Sequence, residues 1–260
     1  MRLKDKVIIV TGSTTGIGEG MARRFVAEGA RVLIHGLEAD LGGKVAADLA
    51  PNATLHVDDL SDPAAPARVV AAALSAFGKI DCLVNNAAWI VRSNLHTTNA
   101  ALFDRAMAIN VRAPLMLIQA AFSHLKQAQG SVLNIGSINA YCGEGNQLDY
   151  SISKGALMTL TRNLADTYGL DKVRFNQINL GWVLSENEYK LKVREGLPAD
   201  WPDHPPAAFA PSGRIMVPEN IATAAVYWLG DESRPVSGSV LELEQYPVIG
   251  RNPMADKRGR

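Results

Sequence analysis

The sequence predicts an α/β fold: a doubly wound parallel sheet of about seven strands with helices on both faces. Three observations point there. Short apolar runs rich in β-branched residues recur along the chain, with helix-length amphipathic stretches between them. The first such run enters a Gly-rich turn that opens a helix and leads to a second strand. No linker interrupts the alternation, so residues 1–260 are expected to form one domain. Repeated β-α units specify a parallel sheet covered on both faces, and ligands then bind at the carboxyl ends of its strands.

The elements follow in order. Val7 to Val10 is β-branched at three of four positions and reads as a buried strand. It runs into Thr11-Gly12-Ser13-Thr14-Thr15-Gly16-Ile17-Gly18, after which Met21, Phe25 and Val26 mark a helix closed by Gly29. Arg31 to Ile34 is the second strand. A Gly-rich turn at a helix N-terminus suits a pyrophosphate: backbone N–H groups and the helix dipole face it, and no Cβ stands in the way. A second helix spans Asp40 to Leu49, a third strand Ala53 to Val57, and an Ala-rich helix Pro63 to Phe77. The fourth strand is Ile80 to Val84. Ala100 to about Leu125 is helical with a bend expected at Pro114. The fifth strand, Ser131 to Ile135, stops just before Ser137. A long helix covers Tyr150 to about Tyr168, and the sixth strand Val173 to Leu180. Pro218 to Leu229 is a helix with proline in its first turn, and Ser239 to Glu244 the seventh strand. Gly12, Asn86, Ser137 and Gly181 all follow strand ends and should converge on one crevice.

Chemistry concentrates in Tyr150-Ser-Ile-Ser-Lys154, thirteen residues after Ser137. Positions i and i+4 share a helix face, so an ammonium from Lys154 is expected to favour the Tyr150 phenolate. A hydroxyl from Ser137 could hold a substrate oxygen beside the phenol. Those parts suit proton transfer to or from an alcohol or ketone.

Taken with the glycine turn, these residues resemble the short-chain dehydrogenase/reductase family, from about Lys6 to about Val248. Thr11, Gly12, Gly16 and Gly18 match its cofactor turn. Asp59 matches the acid that contacts the adenine amino group, and Asn85-Asn86-Ala87-Ala88 stands at the family's Asn-Asn-Ala-Gly. Asn110, Ser137, Tyr150 and Lys154 match the catalytic tetrad. The resemblance implies a Rossmann-like fold and an NAD or NADP cofactor. Tyr150 is then the general acid/base, Ser137 the holder of the substrate oxygen, and Asn110 the residue ordering a water that joins Lys154 to solvent. Thr14, Ile17, Glu38, Leu60, Ala87, Gly181 and Val183 join the cofactor candidates; Asn139, Gln147 and Trp182 join Ser137 and Tyr150 as substrate candidates.

The chain also departs from the pattern. Ala88 replaces the last glycine of the fourth-strand motif, and Leu180 replaces the proline of Asn-Pro-Gly. The acid that selects a ribose 2′-OH is replaced by Gly36, in His35-Gly36-Leu37-Glu38, leaving Glu38 as the nearest carboxylate. No Lys or Arg occupies Ser13-Thr14-Thr15, so the reading leans to NAD. The ending Glu242 to Pro247 differs from the usual one at a subunit contact.

Composition bounds the rest. Hydrophobic residues make up 47% of the chain, and formal net charge is zero, which argues for neither nucleic acid nor a membrane surface as partner. Two cysteines, Cys82 and Cys142, form no disulfide framework; a reduced cytoplasmic setting is expected. The polar start, Met1 to Lys6, is unlike a signal peptide, and no apolar run approaches the ~20 residues of a membrane span. His35, His56, His96, His124 and His204 lack metal-ligand spacing, so no metal is expected. Arg251 to Arg260 is a short basic tail.

The Pro-rich stretch Trp182 to Met216 is long enough for a substrate lid. Ser185 and Glu188 form a capping-box pattern for a short helix within it. Trp182, Trp201 and Trp89, with Glu186, Asn187, Glu188, Asp203 and His204, suggest a pocket for a sugar or polyol. The alternatives are a reductase of 3-oxoacyl or hydrophobic ketone substrates, and a cofactor-binding sensor without catalysis. A homotetramer is expected, with Ala156, Leu157, Leu160 and Leu164 as the excess apolar surface and a dimer as fallback.

Overall fold

A computed structural model describes residues 1–248 of the chain; the basic tail Arg251 to Arg260 lies outside the described residues. Seven strands form one parallel sheet in the order β3-β2-β1-β4-β5-β6-β7. They are β1 (Val7–Val10), β2 (Arg31–Gly36), β3 (Ala53–Val57), β4 (Cys82–Asn85), β5 (Ser131–Ser137), β6 (Arg174–Leu180) and β7 (Val240–Leu243). The chain starts at β1, winds outward to β3, then returns to β4 on the other side of β1. The place where the winding reverses, between β1 and β4, opens the crevice.

Alternation along each strand builds two cores. Ile8 and Val10 face α1 (Gly16–Ala27), α2 (Ala39–Asp48) and α9 (Pro218–Leu229), together with Met21, Phe25, Val45 and Ile221. Ile9 faces the other layer, α3 (Ala65–Phe77), α5 (Ala113–Ala128) and α7 (Leu148–Thr167), with Val69, Leu117 and Leu164. Burial on both faces is why β1 reads as a continuous apolar run. Each fully buried Phe, Leu or Ile of this kind contributes about 1.5–3 kcal/mol.

Three readings of the sequence change or sharpen here. The helix from Ala100 is interrupted just before Pro114. It is α-helical over α4 (Ala100–Met107), widens into a π segment at Ala108–Arg112, and resumes as α5. Pro114 occupies the first turn of α5, where its missing N–H is tolerated. The whole stretch Ala100–Ala128 is long and apolar enough, by length and composition, to cross a membrane, contrary to the expectation that no run approaches that length. Its apolar residues Leu117, Ile118 and Leu125 are buried in the core. Finally, β5 runs through Ser137 rather than stopping before it, because Gly136 and Ser137 pair with Asn179 and Leu180 on β6. That pairing places Ser137 at the sheet's edge of the crevice.

Candidate active site

The Gly-rich turn is tied to the end of β4. The Thr11 hydroxyl accepts from the backbone N–H groups of Asn86 and Ala87, both at 3.1 Å. The Asn86 amide donates back to the carbonyls of Thr11 and Gly12, both at 2.9 Å. Gly12 has φ +62° and Gly16 φ +61°, conformations that disfavour other residues. A Cβ on Gly12 would meet the Ala87 backbone at 2.8 Å, whereas one on Gly16 would point at Ser185 at 3.6 Å. The turn is thus closed behind and open in front, at the N-terminus of α1, which fits a pyrophosphate.

Next to it, Gly36 explains the missing acid. A Cβ there would lie 2.6 Å from the Thr14 hydroxyl oxygen, so Thr14 fills the place a side chain would take. The Thr14 hydroxyl donates to the Glu38 carboxylate at 2.6 Å, fixing that acid at the end of β2. Asp58 joins Asp59 at the end of β3, a neighbour that sequence reasoning passed over. Hydrogen bonds from the Arg68 guanidinium hold Asp58 down to about 2.

The turn, these carboxylates and the expected catalytic residues line one groove of about 960 Å³. Every cofactor candidate lines it, with Ser137, Asn139, Gln147, Tyr150 and Trp182; of the wider sugar pocket expected from the sequence, Trp89, Asn187 and Glu188 line it too, and Trp201, Glu186, Asp203 and His204 do not. Of the tetrad, Ser137, Tyr150 and Lys154 do so, and Asn110 stands behind the wall.

α7 positions the reactive pair. Tyr150 and Lys154 lie one turn apart and are 9% and 2% exposed. The Lys154 ammonium is 5.5 Å from the Tyr150 ring centroid and donates to the Ile135 carbonyl at 2.7 Å. The expected lowering of the phenol is not what the protein alone produces. Burial pushes Tyr150 up to about 12; the Ser137 hydrogen bond opposes the rise, and the Glu144 carboxylate adds to it. Burial also brings Lys154 down to about 8. Desolvation outweighs the Lys–Tyr attraction because the ammonium is turned toward a carbonyl.

The Asn110 side chain is fully engaged within the protein. Its side-chain oxygen accepts from the Trp89 N–H at 2.7 Å, and its amide donates to the Trp89 carbonyl and the Ser153 hydroxyl, each at 3.0 Å. The side chain therefore pins the loop after β4 to α7. What it leaves for a solvent chain is the backbone carbonyl, to which Pro114, four residues on, has no N–H to give. The π segment around Asn110 is of a kind found often at functional sites.

The segment expected to form the lid, Trp182 to Met216, holds α8 (Glu186–Arg194). Ser185 caps it, accepting from the Glu188 N–H at 3.2 Å. The reciprocal half of the capping box is absent, because the Glu188 carboxylate accepts from the Trp182 indole at 2.8 Å. Trp201 does not face a ligand: it is 4% exposed, with its ring stacked on Trp182 at 5.0 Å and on Tyr189 at 6.4 Å. Aromatic packing inside the lid outweighs the expected open face. Glu186 pairs with Lys190 on the outer side. The lid is fastened at both ends. Asn187 donates to the Thr15 hydroxyl at 3.3 Å, and Arg92 reaches Glu195 at 2.7 Å. The altered chain ending braces its base, where Gln245 donates to the Arg214 carbonyl at 2.6 Å. Arg92 and Gln245 carry no sequence motif; only the fold brings them to the lid.

A family model described as enoyl-(acyl carrier protein) reductase matches residues 12–244. The chain belongs to the short-chain dehydrogenase/reductase family. It is 31% identical over 247 residues to 2-(S)-hydroxypropyl-CoM dehydrogenase 3 of Xanthobacter autotrophicus, covering 94% of this chain and 96% of the relative. Identity to meso-2,3-butanediol dehydrogenase of Serratia marcescens is 29% over 245 residues, 94% and 95% of the two chains. Among solved structures, the 3-ketoacyl-(acyl-carrier-protein) reductase of Brucella melitensis complexed with NADH has a TM-score of 0.82 at 29% identity, covering 93% of this chain and 97% of that one. This short-chain dehydrogenase/reductase is an NAD(P)-dependent oxidoreductase. The dinucleotide supplies the hydride donor or acceptor when bound; the chain supplies placement, a proton path and exclusion of water.

Proposed function

We propose that the enzyme oxidises a small secondary alcohol carrying further hydroxyls, a polyol or sugar, with NAD, and runs the reverse reduction. Tyr150 exchanges the hydroxyl proton, Ser137 holds the reacting oxygen, and Lys154 holds the nicotinamide ribose. The observation that carries the substrate reading is the amide pair beside Ser137. The Asn139 N–H donates to the Ser137 hydroxyl oxygen at 3.2 Å, and its side-chain amide donates to the Gln147 carbonyl oxygen at 3.3 Å. Both side chains line the groove with Tyr150. An acyl chain laid over these half-buried amides would cover their remaining donors and acceptors without pairing them, whereas hydroxyls satisfy them. The butanediol dehydrogenase relative supports this class.

A second reading, reduction of 3-oxoacyl thioesters, draws on the likeness to the Brucella melitensis reductase. The test is kcat/KM across aldoses, polyols and their keto forms against 3-oxoacyl thioesters, followed at the reduced-nicotinamide absorbance. Preference for the thioesters would replace the first reading with the second.

The choice of NAD rests on Glu38, Asp58 and Asp59, three carboxylates at the β2 and β3 ends of the groove. The nearby Arg68 is bound to Asp58 and Asp62. A 2′-phosphate would meet like charge there, which selects against it. Glu38→Gln is expected to narrow the NAD-to-NADP ratio of kcat/KM by roughly tenfold, ~1.4 kcal/mol. A wild-type efficiency more than about tenfold higher with NADP would refute the choice.

The assembly we propose remains a cytoplasmic homotetramer, on altered grounds. Leu157 and Leu164 are buried within the chain and Leu160 packs on its core, so they are not surplus surface. Leu115 on α5 and Ile152 on α7 are the exposed apolar residues of these helices, 36% and 43% accessible. Light scattering at micromolar concentration decides the assembly, and a monomer mass would exclude it.

A further inference from the structure

Glu144 stands at the rim of the groove, in the turn between the short helix α6 (Asn139–Cys142) and α7, and has no part in the reading above. The turn is held in place. Gly143 has φ +71°, the Glu144 N–H donates to the Ser151 hydroxyl at 3.3 Å, and the Gln147 N–H donates to the Glu144 carbonyl at 2.9 Å. Ser151 directly follows Tyr150, so the loop is moored to the turn of helix that carries the phenol. The Asn139 amide lies between the Glu144 carboxylate, at 3.4 Å, and the Gln147 carbonyl oxygen, at 3.3 Å. Asn139 is in turn bonded through its backbone to Ser137.

We propose that Glu144 is a specificity-determining residue that accepts a hydrogen bond from a second substrate hydroxyl, on the carbon next to the one oxidised. This rests on the polyol reading and narrows it to vicinal diols. The cluster runs from Ser137 through Asn139 to Glu144 along one wall of the groove, so a second hydroxyl on the neighbouring carbon is directed toward it. With the Asn139 amide engaged inside the cluster, the carboxylate of Glu144 and the carbonyl oxygen of Gln147 offer acceptors, which match hydroxyl donors. The Glu144 carboxylate also lies close enough to Tyr150 to disfavour the phenolate. The Arg92 guanidinium, 4.0 Å from the same carboxylate, already supplies it with a positive partner, so the site calls for a neutral hydroxyl donor rather than a substrate ammonium.

The experiment compares kcat/KM with NAD for butane-2,3-diol, butan-2-ol and 1-aminopropan-2-ol, in the wild type, Glu144→Ala and Glu144→Gln. The expected result is a wild-type preference for the diol over butan-2-ol that falls roughly tenfold or more in the alanine variant and is partly restored by glutamine. With Ser137 and Lys154 unchanged beside Tyr150, removing the carboxylate should also move the pH profile of butan-2-ol oxidation to lower pH, a shift that a merely structural role would not give. A wild-type diol preference that survives in Glu144→Ala overturns the role of Glu144 and leaves the polyol reading standing. No diol preference in the wild type, or no turnover of either alcohol, also overturns the role of Glu144; the polyol reading falls with it if the aldoses and other polyols are not turned over either. A higher efficiency with the amino alcohol than with the diol overturns the hydroxyl assignment.

Discussion

Tyr150→Phe is expected to lower turnover by about 10²–10⁴-fold while leaving cofactor affinity near that of the wild type. The substitution removes one oxygen from a side chain that is 9% exposed and keeps the ring that packs under the groove. The cofactor cradle at Gly12 to Gly18 stands on other elements. Burial keeps the wild-type phenol up at about 12, so the phenolate needed for oxidation is the minor form at neutral pH. The sign follows directly. Raising the pH toward that value populates the phenolate, and alcohol oxidation accelerates with pH; ketone reduction needs the phenol, already abundant, and gains nothing. In the phenylalanine variant the pH dependence of the residual oxidation should disappear with the rate. Steady-state rates across pH in both directions, with a fluorescence titration of the reduced cofactor, check this. A variant retaining more than about a tenth of wild-type turnover would mean that another group transfers the proton.

What could be read from the sequence is what local geometry determines. The i, i+4 spacing of Tyr150 and Lys154 needs only a helix, and the glycine turn needs only a strand before it and a helix after it. α9 was readable to its ends, Pro218 and Leu229, because proline marks its first turn and Gly230 its close. The convergence of the strand ends on one crevice was readable, but the side-chain contacts between distant elements were not. Trp201 looked like a free aromatic plane, and stacking between Trp182 and Tyr189 is visible only once the lid is folded. Leu157, Leu160 and Leu164 looked like an interface because burial is set by elements distant in sequence: Leu160 and Leu164 join the cluster that holds Phe175 of β6, and Leu157 is buried as well. The phenol's ionisation was misjudged for the same reason. Spacing shows that an ammonium is near, but not that Ile135 holds it or that burial outweighs it. Glu144 and Arg92 sit in turns without a motif, and only the tertiary fold brings them to the rim of the groove.

Gly18→Ala is expected to lower cofactor affinity by two orders of magnitude or more, a loss of roughly 3 kcal/mol, and to lower thermal stability as well. A Cβ at this position would collide with the carbonyl oxygen of Gly12 and lie 2.6 Å from the Asn86 amide nitrogen. Neither neighbour is a flexible side-chain end with room to move. The Gly12 carbonyl belongs to the turn itself, and the Asn86 amide is held by two hydrogen bonds of 2.9 Å to that turn. Relief must come from moving α1 away from the turn or the turn away from β4, and either motion spoils the backbone surface that faces the pyrophosphate. Overpacking of this kind typically costs about 1–3 kcal/mol of folding stability. Gly43→Ala supplies the contrast. That residue lies inside α2 with nothing within 4 Å of the added carbon, so alanine there should stabilise the fold by about 0.5–1 kcal/mol through helix propensity. Thermal melts of both variants, with and without the dinucleotide, separate the effects: Gly43→Ala should raise the melting temperature and keep its ligand-induced rise, and Gly18→Ala should lose both. A Gly18→Ala protein that bound the dinucleotide as the wild type does would show that the turn yields without harm, and the cradle would then have to lie elsewhere in the groove.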